Sequence, residues 1–422
     1  MHSPFSFSTT GSHSPSAGAL QRAIPEVDLK IDCCYLSNPY ATQVFMARLK
    51  ADFADEKWLH GIIESYPSQN RQVAVDVSKA IGVRPENIFV GNGAVEIISG
   101  LLTHFVRGKL LIMLPTFSPY HEYVNKETTI HYYPLHRGVN SFACDREHLL
   151  SYCLSNGVNN IVIINPNNPD GSYIDRASLR QFLRELSFMD NIILDESFID
   201  FAGDNESMTR DFYDYTNLTI IKSMSKDFGI AGIRAGYCVT KADYVTRLLE
   251  KGFLWNSSCF AIYFFQLLSD KDFIRHYLVA KEKYGKILAD FSARLATCNP
   301  LIRFYKSKAN FFLGELVDPR FSVEDLMLHL LVEHGIYIRQ CADKKGLSDR
   351  FFRVSCRTAE DNEVIIKALS AWNPEPVPTT TATSAHQHQQ QLPSAPFLSP
   401  PPSPQPGASS SSSSAATSST QQ

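Results

Sequence analysis

The sequence predicts an α/β fold, with a mostly parallel sheet in a large domain and a smaller α+β C-terminal domain. Three observations carry that expectation. Short apolar runs rich in β-branched residues recur at 109–114, 161–164, 191–194 and 218–221, and each reads as a strand buried on both faces. Helical stretches such as 179–186 lie between them, and strands that alternate with helices build parallel sheets. Each run also stops directly in a polar or proline-rich motif, and ligands of open α/β sheets bind at the carboxyl ends of the strands.

The first run ends in Pro115-Thr116-Phe117. The second ends in Asn165-Pro166-Asn167-Asn168-Pro169, the third in Asp195-Glu196, and the fourth in Ser223-Met224-Ser225-Lys226. Four strands aiming four such motifs at one place is a site prediction in itself. Upstream, Gly91-Asn92-Gly93-Ala94-Val95-Glu96 reads as a glycine turn entering a helix, a place where free backbone N–H groups meet an anion. Gly93, Ala94 and Val95 would offer main-chain amides, and Glu96 should point away, since its charge would repel the anion. Beyond residue 260, strand-like runs at 303–313, 336–339 and 351–356 alternate with helices and form the smaller domain.

Composition narrows the function classes. The chain has 422 residues, a formal charge of −3 and 44% hydrophobic residues, which is ordinary globular chemistry rather than that of a nucleic-acid binder. No run of 18 apolar residues is present, so no membrane span is expected. The nine cysteines form no CxxC pair and read as reduced thiols of a cytoplasmic protein. Cys33-Cys34 is too tight a pair to chelate a metal alone, and no metal is expected. Residues 1–23 are rich in Ser, Pro and Gly and read as a disordered extension; they lack acids, as transit peptides do, but Arg22 is their only basic residue apart from histidine, where such peptides carry several arginines. Residues 373–422 are Pro, Ser, Thr, Gln and Ala and read as a disordered tail. Between them the expected parts are an N-terminal arm joining the small domain (24–55), the large domain (56–260) and the small domain (261–372).

The lysine motif is the most informative. Lys226 stands in a Ser-rich turn, Ser223-Met224-Ser225-Lys226-Asp227-Phe228-Gly229, with Arg234 eight residues on. An amine that condenses with an aldehyde, two hydroxyls and a guanidinium suit an aldehyde cofactor that carries a phosphate, because the guanidinium fork is planar and always charged.

These segments, with Asp195-Glu196-Ser197-Phe198, resemble the signatures of PLP-dependent fold-type I aminotransferases. The branch is the one that holds histidinol-phosphate aminotransferase and threonine-phosphate decarboxylase. The likeness runs from about residue 31 to 372, with the motifs in the family's order. It implies a seven-stranded-type sheet, pyridoxal 5′-phosphate (PLP) as cofactor, and a homodimer with shared active sites. By this resemblance Lys226 is the catalytic lysine and Asp195 faces the ring nitrogen, where a buried acid finds a cationic partner. Asn168 donates its amide to the phenolic oxygen, and Phe117 stacks on the ring. Gly93, Ala94, Val95, Ser223, Ser225 and Arg234 cradle the phosphate, and Tyr66 reaches the phosphate of the neighbouring subunit's cofactor. Arg353 grips the substrate α-carboxylate; Arg339 and Asn38 are further substrate contacts.

One position departs from the aminotransferase pattern. Phe198 stands where histidinol-phosphate aminotransferases usually have a tyrosine, and the segment is similar to that of threonine-phosphate decarboxylase, as is Ile338-Arg339-Gln340-Cys341-Ala342-Asp343. The leading expectation is an aminotransferase acting on a small amino compound that bears a phosphate or phosphonate, with a keto acid as acceptor. The alternative is a decarboxylase of a phosphorylated amino acid. A non-catalytic PLP-binding scaffold is remote, since it would not need Lys226, Asp195, Asn168 and Arg353 together.

Overall fold

Side chains alternate along each central strand, so the two faces of one sheet are apolar for different partners. Seven strands form that sheet: β1 (Ile88–Asn92), β2 (Gly108–Leu114), β3 (Thr128–Pro134), β4 (Asn160–Ile164), β5 (Asn191–Asp195), β6 (Leu218–Ser223) and β7 (Ala235–Val239), in the spatial order β1-β7-β6-β5-β4-β2-β3. β7 runs antiparallel to both β1 and β6; the remaining pairs are parallel. This is a computed structural model, and it describes residue 15 and residues 17–374.

Ile161, Ile163, Ile192 and Leu194 face one core with Leu179 and Phe182 of the helix Arg176–Glu185. Val162, Ile164 and Ile193 face a second core with Ile97, Ile98 and Leu101 of the helix Ala94–His104. A sheet covered on both faces must be apolar on both, which is why β4, β5 and β6 are buried throughout. The strands expected at 109–114, 161–164, 191–194 and 218–221 are all present. β3 has no such signature because it is the sheet's edge and half of it faces solvent. The helix expected at 179–186 spans Arg176–Glu185, capped by the Asp175 side chain on Ser178 N–H.

The second unit of architecture is a four-stranded antiparallel sheet of Ile302–Phe304, Phe311–Leu316, Phe351–Ser355 and Arg339–Gln340, in that spatial order. Its core joins Phe312, Phe352 and Val354 to Ile365 and Leu369 of the helix Ala359–Ala371. The run expected at 303–313 breaks into two strands, because residues 305–310 turn to bring Ser307 against Gly171. The N-terminal segment belongs to this core as well: Ile31–Asp32 pairs in parallel with Ile336–Tyr337.

The expected disordered extension over 1–23 requires a correction at its end. Ala17–Ala23 is helical, and Leu20 is buried in the core that backs the four-stranded sheet, so a single apolar residue docks a segment whose composition reads as loose. Residues 1–14 and 16, and the tail from 375 on, lie outside the described residues. Among the described residues no helix is long and apolar enough to cross a membrane, and all nine cysteines are free thiols.

Candidate active site

The carboxyl ends of β4, β5 and β6 meet through their own backbone. Asn165 N–H donates to Asp195 O at 2.9 Å, Glu196 N–H to Ile221 O at 2.9 Å, and Met224 N–H to Ala235 O at 3.1 Å. Those bonds fix where the strand-end residues point. They open onto a cavity of about 210 Å³. Ten of the expected residues line it: Ala94, Val95, Phe117, Asn168, Asp195, Ser223, Ser225, Lys226, Arg234 and Arg353.

Asp195 lies at the bottom, 3% exposed. It accepts hydrogen bonds from Ser197 N–H at 2.9 Å and Tyr120 Oη–H at 2.7 Å. Burial still pushes its carboxyl above the usual range, against those bonds and the Lys226 ammonium. A cationic group brought against it would reverse that, because an adjacent opposite charge favours the ionised acid. Tyr120 is a residue the sequence reading missed. Its signal was present, since it sits three residues after Phe117 on the short helix Pro119–Glu122.

Lys226 is half-buried, and burial pushes its amine down to about 8, with Arg353 and Arg234 adding to the effect and Asp195 opposing it. About a tenth of the amine is therefore neutral at pH 7, far more than for an ordinary lysine, and the neutral form is the one a nucleophilic lysine requires. The N-terminal arm clamps this turn: Asn38 N–H donates to Lys226 O at 2.8 Å and Ser37 Oγ to Ser225 O at 3.0 Å. Phe198 closes the other side. Its ring centroid is 5.7 Å from Lys226 Nζ, and it packs edge-on against Phe311 at 5.0 Å.

The anion cradle lies at the start of the helix Ala94–His104, which no side chain caps. Gly93 has φ +77°, and a Cβ there would come within 2.3 Å of Arg234 Nη2, so only glycine lets the guanidinium approach the helix start. Glu96 turns away as expected, accepting from Asn92 N–H at 2.8 Å and Asn256 Nδ2 at 2.6 Å.

Arg353 enters from the four-stranded sheet. Its Nη1 donates to Asn168 Oδ1 at 2.6 Å and its Nη2 to Cys34 O at 3.3 Å. Its Nε is buried without a hydrogen-bond partner among the described residues, a donor suited to an incoming carboxylate. With Oδ1 committed to Arg353, Asn168 presents its amide N–H₂ as the group for a ligand.

Of the other four expected residues, Gly93 stands at the helix start against Arg234, and three are not among those that line the cavity. Tyr66 is 92% exposed. The Asn38 side chain caps the helix Pro39–Asp52 by accepting from Tyr40 N–H and Ala41 N–H; an Asn before a helix-starting Pro is first a cap signal. Arg339 ion-pairs with Asp343 at 2.6 Å. Cys34, Tyr35, Leu36 and Ser197 line the cavity unforeseen.

The geometry fits PLP: an amine, a buried acid, an aromatic side chain, and an anion cradle of backbone amides, two serines and an arginine. The family model for class I and II aminotransferases matches residues 64–369. The chain belongs to the class I and II aminotransferase family. It is a PLP-dependent enzyme of fold type I.

An L-serine phosphate decarboxylase of Campylobacter jejuni is 42% identical over 365 residues, 85% of this chain and 93% of that protein. A decarboxylase structure from Sulfurospirillum multivorans has a TM-score of 0.81 at 38% identity and covers 86% of this chain and 93% of its own. The histidinol-phosphate aminotransferase of Clostridium acetobutylicum has a TM-score of 0.69 at 28% identity, over 81% of this chain and 98% of its own. This family member thus resembles both kinds of relative, as its motifs implied.

Proposed function

We propose that this enzyme is a PLP-dependent decarboxylase of a phosphorylated amino acid, with O-phospho-L-serine as the leading candidate. One observation carries the reading: the relatives at 42% and 38% identity bear decarboxylase names, each over 93% of its length, while the histidinol-phosphate aminotransferase stands at 28%. Transamination, the leading expectation from the motifs, becomes the second reading, and its keto-acid acceptor is not needed.

When bound, PLP supplies an electron sink for the pair released at the substrate Cα. The chain's own groups do the rest. Arg353 holds the α-carboxylate and so sets which bond of Cα stands across the ring. Asp195, kept ionised by a cationic partner, sustains the sink. As the Cα–carboxylate bond breaks and CO₂ leaves, Lys226 Nζ returns a proton to Cα and the amine product departs. Phe198 packs an apolar face beside Lys226 and limits water there. The homodimer remains part of the proposal: a tyrosine as exposed as Tyr66 suits a side chain that completes the neighbouring subunit's site. A cytoplasmic setting, suited to nine free thiols, is likewise proposed.

The test is a turnover assay on purified holoenzyme with O-phospho-L-serine and no keto acid. The reading expects sustained CO₂ release with phosphoethanolamine as product. One keto acid per chain and no CO₂ would establish transamination instead.

A further inference from the structure

The helix Val323–Leu328 runs on into a π-helical turn, His329–Glu333, which His334 ends. The winding decides which side chains meet. In an α-helix, residues three and four apart share a face and residues five apart do not. A π-turn closes i→i+5 hydrogen bonds and so brings the fifth residue over the first. His329, Glu333 and His334 therefore gather on one side of one turn. His329 Nδ1 lies 3.1 Å from Glu333 Oε2, and the two imidazoles stand edge to face with their centroids 5.0 Å apart. One ligand atom from each of the three lies within 4.8 Å of the others, and among the described residues no second trio of metal-ligating side chains meets so closely.

The turn is held from both sides. Leu330 and Leu331 are buried in the core behind it. Gly335, with φ +68°, accepts Lys30 N–H at 2.9 Å and Ile31 N–H at 3.0 Å. A Cβ at Gly335 would stand 2.4 Å from Asp28 O, so only glycine lets the N-terminal segment come this close. Two observations then set the trio apart from an ordinary surface pair. The Nε2 atoms of His329 and His334 are both buried, and neither has a hydrogen-bond partner among the described residues. A buried ring nitrogen left unpaired keeps its full desolvation cost, and a metal ion is a partner imidazole readily takes. The π-turn is the second, since such turns are rare and frequent at functional sites.

We propose that His329, Glu333 and His334 bind one divalent transition-metal ion of the zinc class, with water in the remaining position. Two imidazoles and one carboxylate suit such an ion, whereas magnesium and calcium take sets of oxygens. Ligand atoms about 2.1 Å from one ion stand up to about 4 Å apart, so a side-chain movement of about an ångström closes the set. The Glu333 side chain is 62% exposed and that of His329 17%, which leaves the ion a path from solvent and room for its water. None of the three lines the cavity that holds Lys226, so the ion's role is structural. It fixes the turn from which Ile336–Tyr337 leaves to pair with Ile31–Asp32.

Equilibrium dialysis of full-length holoenzyme against ZnCl₂, with zinc counted per chain and excess MgCl₂ as competitor, tests the site without turnover. The parent protein should hold a tight zinc that magnesium does not displace, and zinc should raise its thermal midpoint. Glu333→Gln changes an exposed side chain and should weaken that zinc about 10–100-fold. His334→Ala should weaken it at least about 100-fold and remove the rise in midpoint. The tail carries His386 and His388, which can also take zinc, so a protein with both changed to Ala is the control and should keep the site. Should H334A fail to fold, the loss in E333Q decides alone. A parent protein without tight zinc, displacement by magnesium, or a tight zinc that E333Q leaves unweakened overturns the proposal. So does a tight zinc that disappears with His386 and His388.

Discussion

Lys222 and Lys226 stand four residues apart on one segment and meet opposite surroundings. Lys222 lies inside β6, 5% exposed, with Nζ 2.6 Å from Asp200. Burial works against its charge, but Asp200, Tyr237 and Glu196 outweigh it, and its pKa is raised. Lys226 lies just past the strand, where burial, Arg353 and Arg234 act together and only Asp195 opposes them. The comparison shows that neighbours, not residue type, decide whether a buried lysine is a fixed cation or a reactive amine. A contact carboxylate makes the first, and nearby guanidiniums in an apolar pocket make the second.

Breaking each lysine should therefore fail in a different way. Lys226→Ala should lower turnover by at least about 10⁴-fold and abolish covalent attachment of the cofactor. Borohydride reduction followed by peptide mass mapping checks this, and label on Lys222 would contradict it. Asp200→Ala should act on stability instead. It leaves the Lys222 ammonium buried without its partner, a loss of about 3–5 kcal/mol. The thermal midpoint should drop by several degrees while the remaining folded enzyme keeps its label on Lys226. An Asp200→Ala protein of unchanged midpoint would show that the pair contributes nothing to the fold.

The smallest effect is a pH dependence that sharpens the contrast. Only the neutral amine attacks an aldehyde, and the folded-state pKa of Lys226 is depressed to about 8. The rate of cofactor uptake by apoenzyme should rise with pH and level off above about 8. Below that midpoint it should fall about tenfold per pH unit, as the neutral fraction does. A midpoint near the ordinary lysine value would mean that the surroundings described for Lys226 are wrong.

The same contrast explains what could be read from the sequence. Asn168, Asp195 and Lys226 each follow directly on an apolar run, and parallel strands bring such ends together, so periodicity alone pointed to the site. Arg353 was identified only by resemblance, because an arginine within an apolar strand has no signature of its own. Tyr35 and Leu36 line the cavity from an irregular arm, held there by contacts such as Asn310 Nδ2 to Leu36 O at 2.9 Å. Partners 274 residues apart leave no local pattern. Asn38 misled for the opposite reason, since its capping role is local and sufficient. β7 was missed because Ala235-Gly236-Tyr237 is a poor strand run, held in place by pairing on both sides.

The measurement that tests the central claim most directly is turnover of O-phospho-L-serine by holoenzyme in D₂O, with the product read by NMR. The account predicts phosphoethanolamine carrying one deuterium on the carbon that bore the carboxylate, formed over many turnovers. A keto acid as the product, with the carboxylate retained, would contradict it.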